Sequence, residues 1–189
     1  GRWVLTEACN QLTRWDAEGF RVLSLSVNVS VHQVERIDLI DEIKGIIAAT
    51  DVDPDRLELE VTESVFMRNV ERVVENLNAL RDLGIRLAVD DFGSGFSSLG
   101  YLKQLPISRL KIDKTFVDGV DTDANDSAIA RAVIVLGRAL GLEVIAEGVE
   151  TQAQASFLEN EGCDAVQGYL FARPMAAGAL RDQHYAVTD

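Results

Sequence analysis

Asp90 and Asp91 stand side by side at the end of an apolar run, Leu87-Ala88-Val89, and lead into Phe92-Gly93-Ser94-Gly95. Two neighbouring carboxylates at the end of a buried strand are costly unless a cation or strong donors neutralise them, and a pair of divalent metal ions would do so. The glycines at 93 and 95 permit positive φ and a close approach of backbone to a ligand or a neighbouring loop. Polar residues close other apolar runs in the same way: Asn28, Glu60, Lys111, Glu147 and Gln167. Carboxylates joined by one Asn and one Lys on a common rim match a site for hard divalent cations with oxygen ligands. Taken singly, each residue also fits a plainer role: an acidic turn for Asp90-Asp91, a helix cap for Asn28, a snorkelling edge residue for Lys111, a turn for Gln167, and the solvent face of a half-covered strand for Glu58. Their joint placement favours one site.

The elements that must position these residues follow from hydrophobic periodicity. Val4, Leu5, Ala8, Leu12 and Trp15 recur at three- and four-residue spacing, so Trp3 to Trp15 reads as a helix ended by Gly19, with both tryptophans on its apolar stripe. Arg21 to Val29 alternates as a strand that reaches Asn28. Val31 to Ala49, with Ile37, Ile40, Ile43, Ile46 and Ile47 on one stripe, reads as a single helix before the turn at Asp53-Pro54. Leu57 to Val61 is a second strand with Glu58 and Glu60 on one side of the pleat. Val70, Val73, Val74, Leu77 and Leu80 define a long amphipathic helix closed by Gly84. Ile85 to Asp90 is a third strand, Ser97 to Leu105 a short helix stopped by Pro106, and Arg109 to Ile112 a fourth strand containing Lys111. A helix striped by Ile129, Val133, Leu136 and Leu140 ends at Gly141. Leu142 to Ala146 makes a fifth strand stopping at Glu147, Gln152 to Glu161 a helix, and Ala165-Val166 the start of a sixth strand reaching Gln167. Gly168 to Phe171 is a candidate seventh strand, and a Pro-led turn and terminal helix follow Arg173.

Strands alternating with helices imply right-handed crossovers and a parallel sheet, open or closed into a barrel. In an open sheet a ligand draws on the few strands at one switch point, whereas in a barrel every strand exit points at one mouth. Polar residues at six successive exits favour the barrel. A closed barrel needs eight strands and typically about 250 residues. The chain supplies six clear strands and opens on a helix, so a first strand is expected upstream of Gly1.

The chain has 189 residues, 47% hydrophobic and 26% charged, which suits one domain with a sizeable core. Its net charge of −13 argues against a basic nucleic-acid surface, so no DNA partner is expected. With no membrane-length apolar run and no signal-peptide pattern, the expectation is a cytoplasmic domain without membrane contact. Cys9 and Cys163 lie outside any CxxC pattern and read as buried thiols. His32 and His184 stand at no strand exit, so neither is given a catalytic role.

The sequence resembles the EAL-domain family, phosphodiesterases of the bacterial second messenger cyclic di-GMP. The matching stretches are Val27-Asn28-Val29-Ser30 with Gln33, Glu58-Leu59-Glu60-Val61-Thr62-Glu63-Ser64, Asp90-Asp91-Phe92-Gly93-Ser94-Gly95 with Ser97-Ser98-Leu99, Leu110-Lys111-Ile112-Asp113, Ala146-Glu147-Gly148-Val149-Glu150, and Gln167-Gly168-Tyr169 with Arg173-Pro174. They follow the family's order over nearly the whole chain. The resemblance implies an α/β fold, a (β/α)8 TIM-barrel-like EAL fold with an atypical antiparallel first strand. Residues 1–189 would be one EAL domain, incomplete at its N-terminus and lacking the first strand and helix. It further implies two ions, Mg²⁺ or Mn²⁺, one held by Asn28, Glu60 and Asp90, the other by Asp90, Asp91 and Glu147. Lys111 would orient the attacking water, Glu147 would be a candidate base, Gln167 would line the substrate pocket, Glu63 would brace the loop after Asp91, and Glu150 would give support behind them. By the same resemblance the substrate is cyclic di-GMP, the product linear pGpG, the assembly a homodimer, and an upstream sensory or GGDEF-type domain is expected in the full protein.

One departure stands out: the Glu-Ala-Leu tripeptide that names the family, whose Glu is a ligand of the first metal, does not occur in the chain, nor does the Arg that follows it in the family. This piece alone is therefore expected to show weak or no turnover. Two other classes stay open beside the enzyme, a receptor that binds the dinucleotide without cutting it and a regulatory dimerisation module. A metal-dependent barrel enzyme of unrelated chemistry is weighed against by the Phe92 to Gly95 loop and by Ala146-Glu147-Gly148.

Overall fold

The computed structural model describes the chain apart from residues 21, 23, 68–69, 94–98 and 186–189. Helix α1 (Arg2–Ala17) leads into strand β1 (Leu25–Asn28), and short α2 (Val31–Val34) and α3 (Leu39–Thr50) follow. Then come β2 (Leu57–Thr62), α4 (Val70–Asp82), β3 (Arg86–Phe92), α5 (Leu99–Leu102), β4 (Arg109–Ile112), α6 (Lys114–Val117), α7 (Ala124–Leu140), β5 (Glu143–Glu147), α8 (Gln152–Glu161), β6 (Ala165–Gln167) and α9 (Ala177–Tyr185). The six strands are all parallel and lie in sequence order, β1 to β6, in a curled sheet that forms an α/β half-barrel. Among the described strands, β1 and β6 are its edges.

The strands alternate cleanly. Leu57 and Leu59 meet Leu5, Cys9, Ile43 and Ile46 of the covering helices, while the residues between them, Glu58 and Glu60, point to the inner face. On β4 and β5 the core positions are Leu110, Ile112, Val144 and Ala146, leaving Arg109, Lys111, Glu143 and Glu147 for the inner face. The period of two thus sends the charged residues of these strands inward and, apart from Ile145 on the face of Glu143 and Glu147, the apolar ones outward.

Several expectations are corrected. Trp3 is 75% exposed, because it sits two residues before Leu5, about 200° round the helix from a stripe made of Leu5, Cys9, Leu12 and Trp15. Trp15 does pack, edge-to-face on Phe20. The single helix expected over 31–49 is broken between Val34 and Leu39, and Ile37 is 82% exposed. The Asn76 amide donates to the carbonyls of Val34 (2.6 Å) and Arg36 (3.2 Å), which takes those acceptors out of a continuous helical ladder. Residues 168–171 form a turn rather than a seventh strand: the Phe171 amide returns to the Gly168 carbonyl and the Leu170 amide bonds the Val149 carbonyl. The helix expected over 97–105 is described only as α5, with 97 and 98 outside the described residues. Cys9 is buried and Cys163 partly so.

Candidate functional site

All the strand-exit residues converge on one end of the sheet. Asn28, Glu147 and Gln167 are the last residues of β1, β5 and β6, and Glu60, Asp90, Asp91 and Lys111 lie near the ends of β2, β3 and β4. Register ties them together, since Asn28 pairs with Glu60 and Glu147 with Gln167. A regular strand would send Asp90 and Asp91 to opposite faces. Instead the β3–β4 register shifts between Val89 and Phe92, and Asp91 adopts a left-handed conformation at φ 53°. Such a bulge re-aims side chains at the end of a strand, and Asp is among the few residues besides glycine that enter the left-handed region readily. As a result, ligand oxygens of Asp90, Asp91 and Glu147 lie within 4.8 Å of one another.

Lys111 is the hub. Its ammonium contacts Glu60 at 2.7 Å, Asp90 at 3.3 Å and also Glu147, and it is only 4% exposed. Burial alone would lower its pKa, but hydrogen bonds to Glu147 and Glu60 and the charges of both outweigh that, and the value rises. The ammonium stays charged. Its single positive charge does not balance the carboxylates of Glu60, Asp90, Asp91 and Glu147. Burial pushes Glu147 above the ordinary carboxylate range, opposed by Lys111 and reinforced by Asp90 and Glu60. Burial does the same to Asp91, with the charges of Asp90 and Asp113 adding to it. Carboxylates gathered in this way around one ammonium form an oxygen-rich pocket that hard divalent cations fit.

Around this centre, the Gly93 amide donates to a Glu63 carboxylate oxygen at 3.2 Å; the rest of that loop, including Ser94 and Gly95, lies outside the described residues. Glu150 stands apart from the carboxylate cluster and pairs with Lys114 at 2.5 Å. Gln167 is exposed beside Glu147, and its carbonyl accepts from the Val149 amide at 3.0 Å. Gln154 steadies the loop between Glu147 and α8: its side-chain oxygen accepts from the Glu150 and Thr151 amides and its nitrogen donates to the Asp118 carbonyl.

One residue overturns its plain reading. Glu58 is 1% exposed and lies beneath the mouth rather than on a solvent face. It accepts two hydrogen bonds from Arg109 and one from Ser26, while Arg109 also grips Glu143. Arg109 was not among the expected site residues. Alternation places Arg109 on the same face as Lys111, but its pairing with Glu58 emerges only from the structure.

Comparison with known proteins agrees with this geometry. The profile of the family described as EAL domain matches residues 1–174. The signaling protein YkoW of Bacillus subtilis is 46% identical over 175 residues, which is 93% of this chain and 22% of YkoW. The bifunctional diguanylate cyclase/cyclic di-GMP phosphodiesterase MucR of Pseudomonas aeruginosa is 43% identical over 180 residues, 95% of this chain and 26% of MucR. The chain thus spans about a quarter of the length of these curated relatives. The solved MucR phosphodiesterase in complex with c-di-GMP superposes with a TM-score of 0.90 at 43% identity, covering 95% of this chain and 73% of that one. The EAL domain of Mycobacterium smegmatis DcpA superposes with a TM-score of 0.93 at 38% identity, covering 98% and 84%.

Proposed function

Because the chain belongs to the EAL domain family, we propose that it is a metal-dependent phosphodiesterase domain that hydrolyses cyclic di-GMP to linear pGpG in bacterial second-messenger signalling. The observation that carries this reading is the mouth itself, where Lys111 lies among Glu60, Asp90 and Glu147 with the Asp91 carboxylate beside them. Relatives named as cyclic di-GMP phosphodiesterases, and a similar structure holding c-di-GMP, support the substrate. Asn28, Glu60 and Asp90 would hold one Mg²⁺ or Mn²⁺, and Asp90, Asp91 and Glu147 a second. Bound there, the ions would supply Lewis-acid charge for the phosphoryl oxygens of an in-line displacement.

The chain's own residues do the rest. Lys111, freed from part of its carboxylate shell, donates a hydrogen bond to the attacking water and adds positive charge near the oxygens that become negative. Glu147, by its place beside Lys111 at the mouth, is suited to take the proton of that water. Gln167 lines the pocket at the neighbouring strand end, Glu63 fixes the loop that follows Asp91, and Glu150 holds Lys114 at the edge of the mouth. Residues 1–189 act as one EAL domain of a multidomain signalling protein that works as a homodimer, with a sensory or GGDEF-type domain upstream.

The test is incubation of the chain with cyclic di-GMP and Mg²⁺, with chromatography of the product. Expected is slow, Mg²⁺-dependent formation of pGpG, reduced by a factor of about 100 or more in Asp90→Asn. The slowness reflects the Glu-Ala-Leu glutamate that this chain lacks. Dinucleotide bound but left intact would replace the enzyme with a receptor, and no binding at all would contradict both.

A further inference from the structure

Below the mouth, the inner face of the sheet carries a second tier of charge, and we propose that Arg109 is a positioning residue that sets the spacing of Lys111 and Glu60 through its clamp on Glu58 and Glu143. The inference rests on the reading of the mouth as a phosphodiesterase centre only for its consequence in catalysis. Glu58 and Glu60 lie two apart on β2, and Arg109 and Lys111 two apart on β4, so each strand presents a lower and an upper residue to the same face. Strand β3 runs between them. At the crossing it offers Ala88, the register partner of both Glu60 and Arg109. A methyl group there leaves room for side chains of β2 and β4 to meet over β3.

Arg109 uses that room. One Nη donates to both Glu58 carboxylate oxygens at 2.8 and 2.7 Å, and the other Nη and Nε donate to one Glu143 oxygen at 2.6 and 3.1 Å. Ser26 adds a bond to Glu58 at 2.8 Å, so one guanidinium ties together β1, β2, β4 and β5. The planar fork fixes the direction of both carboxylates, which an ammonium would not. Lys111 repeats the pattern one tier higher, sharing a single ammonium among Glu60, Asp90 and Glu147. When those carboxylates take cations and Lys111 turns to water or substrate, the upper tier gives up its cross-sheet ties. The lower tier keeps them.

Removing Arg109 alone would leave the Glu58 carboxylate buried without its counter-charge, so the deciding variant is the double substitution E58M/R109M, since apolar residues of similar volume commonly replace a buried ion pair without loss of stability. R109K, which keeps the charge and loses the fork, accompanies it. Three readouts are taken: thermal unfolding, Mn²⁺ binding by calorimetry, and the ¹⁵N signal of the Lys111 ammonium, assigned by its loss in K111M. Expected are an intact fold, Mn²⁺ affinity about 10- to 100-fold weaker in the double variant, and a displaced Lys111 signal, with R109K in between. An unmoved Lys111 signal together with wild-type Mn²⁺ affinity would overturn the proposal and reduce Arg109 to a stabilising contact. A wild-type chain that binds no Mn²⁺, yet whose Lys111 signal moves in E58M/R109M, would leave Arg109 its positioning role and contradict the proposed function.

Discussion

Lys111 gives one ammonium to three carboxylates in a place that water hardly reaches, and this makes it the residue whose removal is most informative. Lys111→Met keeps the bulk of the stem but leaves Glu60, Asp90 and Glu147 facing one another. Breaking a buried ion pair by deleting one partner costs about 3–5 kcal/mol. Urea unfolding in the presence of a chelator is expected to show a loss of that size, and saturating Mn²⁺ is expected to recover most of it, because cations replace the missing positive charge. A loss that Mn²⁺ fails to recover would mean that the carboxylates do not converge on a cation site. The rim residues were legible in the sequence because a polar residue that closes an apolar run is conspicuous: Asn28, Glu60, Asp90, Asp91, Lys111, Glu147 and Gln167 all stand where the strands end. Arg109 was not legible as a partner of Glu58. Their contact depends on strand register and on the small side chain of Ala88 between them, neither of which is visible in a single strand's pattern.

At the scale of elements, the ends of the strands are shaped by turns with little tolerance. Gly168 follows the last residue of β6, and a Cβ on it would run into the backbone of Val149. That backbone leads from Glu147 to α8, so Gly168 sets how closely the Gln167 strand end approaches the Glu147 loop. Gly168→Ala is expected to destabilise the protein by about 1–3 kcal/mol, as overpacking does, and to weaken cyclic di-GMP binding at temperatures where the variant is folded. Wild-type melting and wild-type binding would show that the loop yields freely. The same scale explains where periodicity misled. Ile37 falls on the isoleucine spacing of α3, yet Asn76 from α4 captures the carbonyls at Val34 and Arg36 and ends the earlier helix. The bulge in β3 was equally hidden, since neither Val89 nor Phe92 announces a register shift and Asp91 takes a conformation more common for glycine.

For the whole molecule, the strand order β1 to β6 gathers residues from all six strands at one mouth, an arrangement that an acidic chain of net charge −13 tolerates only with compensation. One lysine supplies part of it, and the proposed divalent cations would supply the rest at the Asp90, Asp91 and Glu147 carboxylates. The fold class was readable from alternating strands and helices, and the half-barrel bears it out. The most direct measurement is anomalous diffraction from crystals of the chain saturated with Mn²⁺. Expected are two peaks at the mouth, about 3.5–4 Å apart, with the Asp90 carboxylate between them, Asn28 and Glu60 on one side and Asp91 and Glu147 on the other. Crystals without a peak at these residues, or with Mn²⁺ bound only elsewhere on the acidic surface, would contradict the assignment.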